Sequence, residues 1–130
     1  MLDIREIEQL PQSLVEVADV IGLSATLVLV EKAGGVRIYI PDRLGDDHRL
    51  IEWLGRDAAV KLSEAYAMEE LIVPRCAEQL RNVRNRCIRQ ERAQGESTAA
   101  LALRYRLTER QVFTILSRQE DSSSDQYSLL

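Results

Sequence analysis

The feature that most constrains the fold is an internal repeat with a constant offset of 33 residues. The segment from Val20 to Pro41 aligns without a gap on the segment from Trp53 to Pro74, and five positions are identical. Each copy reads as a helix cap (Ser24 or Asp57), a short helix, a turn and a β-rich strand that stops at proline. Two copies indicate a duplication rather than a solenoid, which needs three or more units.

Apolar spacing predicts the elements of this region. The expected helices cover 14–21, 25–33, 50–54 and 57–66, and the expected strands cover 36–40 and 70–73. Ser13 is the cap candidate of the first helix. Gly34-Gly35 is expected to end the second helix, because glycine readily takes a left-handed conformation. Ala67-Met68 takes that place in the second copy, so the two turns are expected to differ.

The two predicted strands indicate a homodimer. A two-stranded ribbon is marginal alone, and open apolar edges need a cover. We therefore expect strands to pair across a twofold axis of a homodimer formed by residues 1–74. The alternative is a closed monomeric α+β unit with helices on both edges. The residues expected at the dimer interface are Val36, Ile38, Tyr39 and Ile40.

Charge is distributed unevenly along the chain. Residues 1–74 hold 7 basic and 14 acidic side chains, whereas residues 75–118 hold 10 Arg, no Lys and 4 Glu. Such asymmetry indicates a polyanion partner, with a solvated helix face as the alternative. The planar guanidinium suits phosphates and guanine edges better than an ammonium does. Residues 119–130 are acidic and without periodicity, which predicts a disordered tail.

Composition excludes several classes of protein. With 45% hydrophobic and 29% charged residues the chain has a globular balance, and no apolar run approaches the ~20 residues of a membrane helix. The acidic start is unlike a secretory signal, so a cytoplasmic protein is expected. Two Cys and one His provide no metal site, and we expect no cofactor. No nucleophile and base are paired by pattern, which argues against an enzyme.

Residues 75–118 read as three helices. The first, over 75–93, has an apolar stripe at Cys76, Leu80, Val83 and Cys87. A short capped helix follows Ser97-Thr98, and a second starts at the capping box from Thr108 to Gln111. Two short helices joined by a tight turn are the helix-turn-helix pattern. Its expected core consists of Leu101, Ala102, Tyr105, Leu107, Val112 and Ile115.

The second helix of such a module places its N-terminal residues against base edges in the major groove. Arg110 is the best candidate for a guanine contact. Glu109 either accepts from a cytosine amine or favours the helix N-terminus, and Phe113 either meets a thymine methyl or packs inside. The base-contact candidates are Thr108, Glu109, Arg110, Phe113 and Thr114. The phosphate-contact candidates are Arg81, Arg89, Arg92, Thr98, Arg104, Arg106, Ser117 and Arg118. Arg106 occupies the turn position where glycine is usual.

Three stretches within residues 15–118 resemble the Mor transcription activator family of Mu-like phages: Gly34–Pro41, Arg84–Arg89 and Leu101–Val112. The resemblance implies a dimeric activator that binds an imperfect dyad of double-stranded DNA near a promoter and recruits host RNA polymerase. A repressor of the same fold, and an adaptor that uses the basic helix as a partner surface, remain alternatives.

The expected fold is α+β and mainly α. Residues 1–74 form the duplicated dimerisation domain, residues 75–118 the helix-turn-helix domain and residues 119–130 the acidic tail.

Overall fold

The computed structural model describes the backbone of residues 10–128 and the side chains of residues 10–118. Within this range the chain forms seven helices and a two-stranded antiparallel sheet, which confirms a mainly helical α+β fold. The elements are α1 (Gln12–Ile21), α2 (Leu23–Ala33), β1 (Arg37–Ile40), α3 (Arg49–Leu54), α4 (Arg56–Tyr66), β2 (Glu69–Ile72), α5 (Ala77–Ala93), α6 (Thr98–Tyr105) and α7 (Glu109–Ser128). The start of the chain, on which the expectation of no secretory signal rests, lies outside the described residues.

The chain divides after Arg81 into two compact bodies. We call the described residues up to Arg81 the N-terminal body and those from Asn82 the C-terminal body. The division falls within α5, later than the boundary expected at Pro74. None of the helices within residues 10–128 combines the length and hydrophobicity that a bilayer crossing requires.

An aliphatic core holds the N-terminal body together. Its fully buried side chains include Leu29, Ile40, Leu54 and Leu62. Thr26 is also fully buried, and its hydroxyl donates to the Gly22 carbonyl at 2.8 Å. That bond satisfies a polar group whose burial would otherwise cost free energy.

Single glycines form the corners before α2 and α4. Gly22 has φ 88° and ψ 159°, and Gly55 has φ 86° and ψ 157°. Both donate their backbone N–H to the preceding helix at 2.8 Å and serve as N-cap of the following one. A side chain rarely adopts this positive φ, so only glycine suits the corner. The expected caps Ser24 and Asp57 are therefore wrong, because both lie inside their helices.

Ser13 is likewise not a cap. It lies inside α1, whose N-cap is Pro11 without a side-chain hydrogen bond. The carbonyl of Pro11 instead accepts from the backbone N–H groups of Leu14 and Val15, at 3.0 and 3.2 Å.

The turns before the two strands have the same geometry, so the expectation that they differ is wrong. Gly34 has φ −56° and ψ 130°, and Ala67 has φ −50° and ψ 130°. The next residues, Gly35 and Met68, both have positive φ, at 89° and 64°. A left-handed Met costs about 1 kcal/mol. A hydrogen bond offsets this strain, because the Met68 N–H donates to the Ile40 carbonyl at 2.6 Å.

Strands β1 and β2 pair with each other inside one chain. Arg37 lies opposite Ile72, Ile38 opposite Leu71, and Tyr39 opposite Glu70. Each strand thus has one partner in its own chain and one outer edge, and pairing across a dimer axis stays a prediction. The four residues expected at the dimer interface divide into two pairs: Ile38 and Ile40 are buried in the core, and Val36 and Tyr39 are about half exposed.

The C-terminal body packs α6 and α7 against the second half of α5. Its core consists of Ile88, Leu101, Ala102, Val112 and Ile115, with Tyr105, Leu107 and Leu116 packed around it. This confirms the core read from the sequence and adds Ile88 to it. The helix α7 continues to Ser128, whereas the sequence predicts no regular structure after Arg118. Extending a formed helix adds one hydrogen bond for each residue fixed, which favours continuation. Residues 129–130 lie outside the described range.

Candidate nucleic-acid interface

A tight turn joins α6 to α7. Ser97 caps α6, and its hydroxyl accepts from the Ala100 N–H at 3.0 Å. Arg106 ends α6 in the left-handed conformation, with φ 59° and ψ 43°, as its place in the turn predicts. Because Leu107 then donates its N–H to the Ala102 carbonyl at 2.9 Å, the turn is closed by a hydrogen bond. The strain at Arg106 is about 1 kcal/mol.

The start of α7 has the predicted capping box. The Gln111 N–H donates to the Thr108 hydroxyl at 3.1 Å, and the Thr108 N–H donates to the Gln111 side-chain oxygen at 2.8 Å. Two backbone donors that the helix leaves open are thereby satisfied reciprocally. The first turn of α7 is thus fixed before any ligand binds.

One face of α7 is buried in the core, and the opposite, open face is exposed to solvent. Val112 and Ile115 are buried against α6. The open face carries all five base-contact candidates and one phosphate-contact candidate, and these six residues are exposed: Thr108, Glu109, Arg110, Phe113, Thr114 and Ser117. Phe113 is 54% exposed, which decides against its packing inside.

Several hydroxyls on this open face already donate to the protein. The Thr114 hydroxyl donates to the Arg110 carbonyl, and the Ser117 hydroxyl donates to the Thr114 carbonyl, both at 3.0 Å. Their oxygens keep lone pairs that can accept from a base amine or from water. Thr108 is bound by the cap, so its hydroxyl is less available to a base than the sequence suggests.

Arg110 is a positively charged residue on the exposed face of α7. Its side chain is exposed and makes no ion pair with any residue in the described part of the chain. It lies within the first turn of α7, beside the exposed Glu109. A guanidinium there can donate two parallel hydrogen bonds to the O6 and N7 atoms of guanine.

A carboxylate network that the sequence analysis missed binds α6 to α5. The Tyr105 hydroxyl and the Arg104 guanidinium both donate to the Glu91 carboxylate. The Nη2 atom of Arg104 also lies 3.4 Å from the Oε2 atom of Glu96. Burial and the hydrogen bond to Glu91 raise the pKa of Tyr105. The signal for the network was available, because Glu91 and Glu96 are two of only four acids in residues 75–118.

Arg104 is therefore occupied within the protein. The hydrogen bond to Glu91 raises the pKa of its guanidinium, and two carboxylates offset its charge. A phosphate would have to compete with both of them. Among the phosphate-contact candidates, Arg104 is thus better described as a link between helices.

Arg89 lies in a different environment from Arg104, because burial and a neighbouring positive charge destabilise its charged form. Its Nε atom is buried and has no hydrogen-bond partner among the described residues. Burial and the neighbouring positive charge of Arg86 lower the pKa of the Arg89 guanidinium. A buried donor without a partner is costly, so an anion that approaches Arg89 would relieve both the desolvation and the repulsion.

The remaining phosphate-contact candidates differ in position. Arg81 belongs to the N-terminal body, where it pairs with Glu31 at 3.1 Å. Arg92 is exposed and donates to the Glu96 carbonyl at 3.0 Å. Thr98 opens α6 and is partly buried, and Arg106 and Arg118 are exposed. The described residues include no group of three or more His, Cys, Asp or Glu side chains that could hold a metal ion.

The comparisons with known proteins place this chain among transcription activators. It belongs to the Mor transcription activator family, whose model matches residues 42–129. The match includes the second repeat and the whole C-terminal body, whereas the stretch Gly34–Pro41 lies outside it. Neither the curated proteins nor the solved structures include a significant match.

Proposed function

We propose that the chain is a sequence-specific DNA-binding activator of a Mu-like phage or prophage, and that α6, the turn and α7 form its helix-turn-helix module. The observation that carries the proposal is the first two turns of α7, which are capped at Thr108, sealed on one side by Val112 and open on the other. A rigid helix N-terminus with exposed polar residues is what major-groove reading requires.

In this proposal α7 reads the bases. Arg110 contacts a guanine, and the exposed Phe113 meets a thymine methyl group. Thr114 and Glu109 accept hydrogen bonds from base amines. Thr108 holds the helix start in place and contributes little to base choice, because its hydroxyl serves the cap.

Other residues fix the protein on the phosphate backbone. Arg89 is the strongest candidate, since its buried Nε has no partner among the described residues. Arg92, Arg106 and Arg118 are exposed, and Thr98 lies at the start of α6. These contacts raise affinity for every sequence and carry no base information. Arg104 is not part of this set.

Activation requires a further partner, which we propose to be the host RNA polymerase in the cytoplasm of a bacterial host. The match to an activator family favours activation over repression. A homodimer on a dyad is not part of the proposal, because β1 and β2 already pair with each other inside the chain.

Salt dependence tests DNA binding against the adaptor alternative. The full chain is titrated with duplex fragments from its own promoter region at several salt concentrations. We expect the logarithm of the affinity to fall by about 0.9 for each phosphate contact per log unit of salt. An affinity for duplex that does not depend on salt would contradict the proposal.

A transcription assay tests the sign of regulation. With host RNA polymerase and the same promoter fragment, added protein should raise transcript yield. A fall in yield with intact DNA binding would show a repressor.

A further inference from the structure

The register of the β1–β2 sheet follows the offset of the internal repeat. Ile38 lies opposite Leu71, and these residues are 33 apart, which is the offset of the repeat. Each of them therefore faces its own equivalent in the other copy. In an antiparallel pair this happens only where a twofold axis relates the two strands, as in the isologous contact between two identical subunits.

Hydrogen bonds on both sides of this pair follow the same symmetry. Gly35 donates its N–H to the Val73 carbonyl at 2.7 Å, and Met68 donates its N–H to the Ile40 carbonyl at 2.6 Å. The two donors are one repeat offset apart, and so are the two acceptors. The approximate twofold thus relates the turns as well as the strands.

The corners of the helices fit the same relation. Gly22 and Gly55, again one offset apart, agree within 2° in both φ and ψ. The helices α2 and α4 that follow them are both 11 residues long. Two copies of one helix–strand unit therefore form the N-terminal body.

The extent of the family match separates the two copies. It starts at residue 42, immediately after the first repeat ends at Pro41, and continues through the second repeat into the C-terminal body. The matched residues therefore contain the second repeat and the proposed DNA-binding module, and the first repeat lies outside them.

We propose that the first repeat occupies the place that a second protein copy would otherwise take against the second repeat. The N-terminal body is then a dimer-like unit closed within one chain, and the protein is a monomer that carries a single DNA-binding module. For the DNA site, the inference rests on the proposed function: the chain occupies one half-site without dyad symmetry.

Burial supports this closure. Ile38 and Ile40 are 3% and 0% exposed, so the core-facing side chains of β1 are covered within the chain, whereas Val36 and Tyr39 on the other face are about half exposed. The outer edges are short, since each strand has four residues, and Pro41 and Pro74 follow closely. Short strands ended by proline are a common protection against pairing between chains.

The mass in solution is the direct test. Light scattering of the full chain over a range of micromolar concentrations should give 14.8 kDa, the mass of one chain. A mass of twice that value that persists on dilution would overturn the proposal.

A cross-strand disulfide tests the pairing itself. Tyr39 and Glu70 are exposed and lie directly opposite each other, within the range of Cα distances that a disulfide needs. The double variant Tyr39→Cys with Glu70→Cys should form an intrachain disulfide on oxidation and migrate as a monomer without reductant. Covalent dimers would show that the strands pair between copies. The two single variants are the controls, because the native Cys76 and Cys87 are buried.

Stoichiometry on DNA completes the test. One chain per duplex and a footprint confined to one half-site support the inference, and two chains on a dyad overturn it. A chain that is monomeric but binds no duplex would contradict the proposed function alone, because neither the mass nor the disulfide depends on DNA.

Discussion

The two bodies have similar aliphatic cores but differ in the interactions that fix their corners and helix ends. In the N-terminal body, backbone hydrogen bonds and positive-φ residues fix the corners, as at Gly22 and Gly35. In the C-terminal body, side chains cap and link the helices through Ser97, Thr108 and Glu91. The first kind of surface is suited to a scaffold, and the second leaves side chains in fixed positions for a ligand.

The comparison also shows that a count of arginines does not locate a binding surface. Among the ten arginines of residues 75–118, Arg81 and Arg104 are paired with glutamates, whereas the Nε of Arg89 is buried without a partner among the described residues. Residues with the same formal charge are thus unequal in what they can offer to DNA.

The largest expected effect is in the core of the C-terminal body. Leu101→Ala should lower the free energy of unfolding by about 2–5 kcal/mol, because it removes a fully buried side chain and leaves a cavity. The matched control is Leu103→Ala on the same helix, where the side chain is 85% exposed and the expected loss is about 0.5 kcal/mol or less. Urea unfolding measures both, and equal losses would contradict the assigned core.

The next effect tests the equivalence of the two repeats. Gly35→Ala should lower the free energy of unfolding by about 1–2 kcal/mol, because a side chain is strained at φ 89°. Met68→Gly, at the equivalent position, should raise it by about 0.5–1 kcal/mol, because the same strain is removed. Thermal unfolding of both variants gives the answer, and shifts of the same sign would show that the turns are not equivalent.

A smaller effect concerns the link between α5 and α6. Tyr105→Phe should lower the free energy of unfolding by about 1 kcal/mol near neutral pH through the lost hydrogen bond to Glu91. Because the folded state raises the pKa of Tyr105, this contribution is fully present below the ordinary tyrosine value of 10.0 and is lost as the pH rises above it. Unfolding is measured from pH 7 to 11.

The difference between the two proteins should therefore shrink above pH 10. Tyr66, whose pKa is also raised, remains in both and cancels in the comparison. A difference that stays constant with pH would argue against the Tyr105 contribution.

The smallest effect is at the turn. Arg106→Gly should raise the free energy of unfolding by about 0.5–1 kcal/mol by relieving the left-handed strain, and should weaken binding to all duplexes by a few fold. Arg106→Asn separates the two contributions, because Asn tolerates this conformation but carries no charge. Unfolding and duplex affinity are measured on the same samples, and tighter duplex binding by either variant would contradict the phosphate contact.

Periodicity predicted most of the helices and the core of the C-terminal body, since buried positions such as Leu101 and Val112 recur at helical spacing. The side-chain cap at Thr108 was predicted, whereas the glycine N-cap at Gly22 and the side-chain cap of α3 at His48 were missed. The choice of strand partner could not be predicted, because a short apolar strand is compatible with pairing inside or between chains. The Glu91 network also escaped, since it joins residues that only the packing of α6 on α5 brings together.

The central claim is that α7 reads DNA sequence, and Arg110→Ala tests it most directly. Affinities of the wild type and the variant are measured on a specific duplex and on a random duplex at one salt concentration, with Arg92→Ala as the control. We expect Arg110→Ala to lower the free-energy preference for the specific over the random duplex by about 1–3 kcal/mol, and Arg92→Ala to weaken binding to both duplexes alike. Equal losses on the two duplexes for Arg110→Ala would contradict the account.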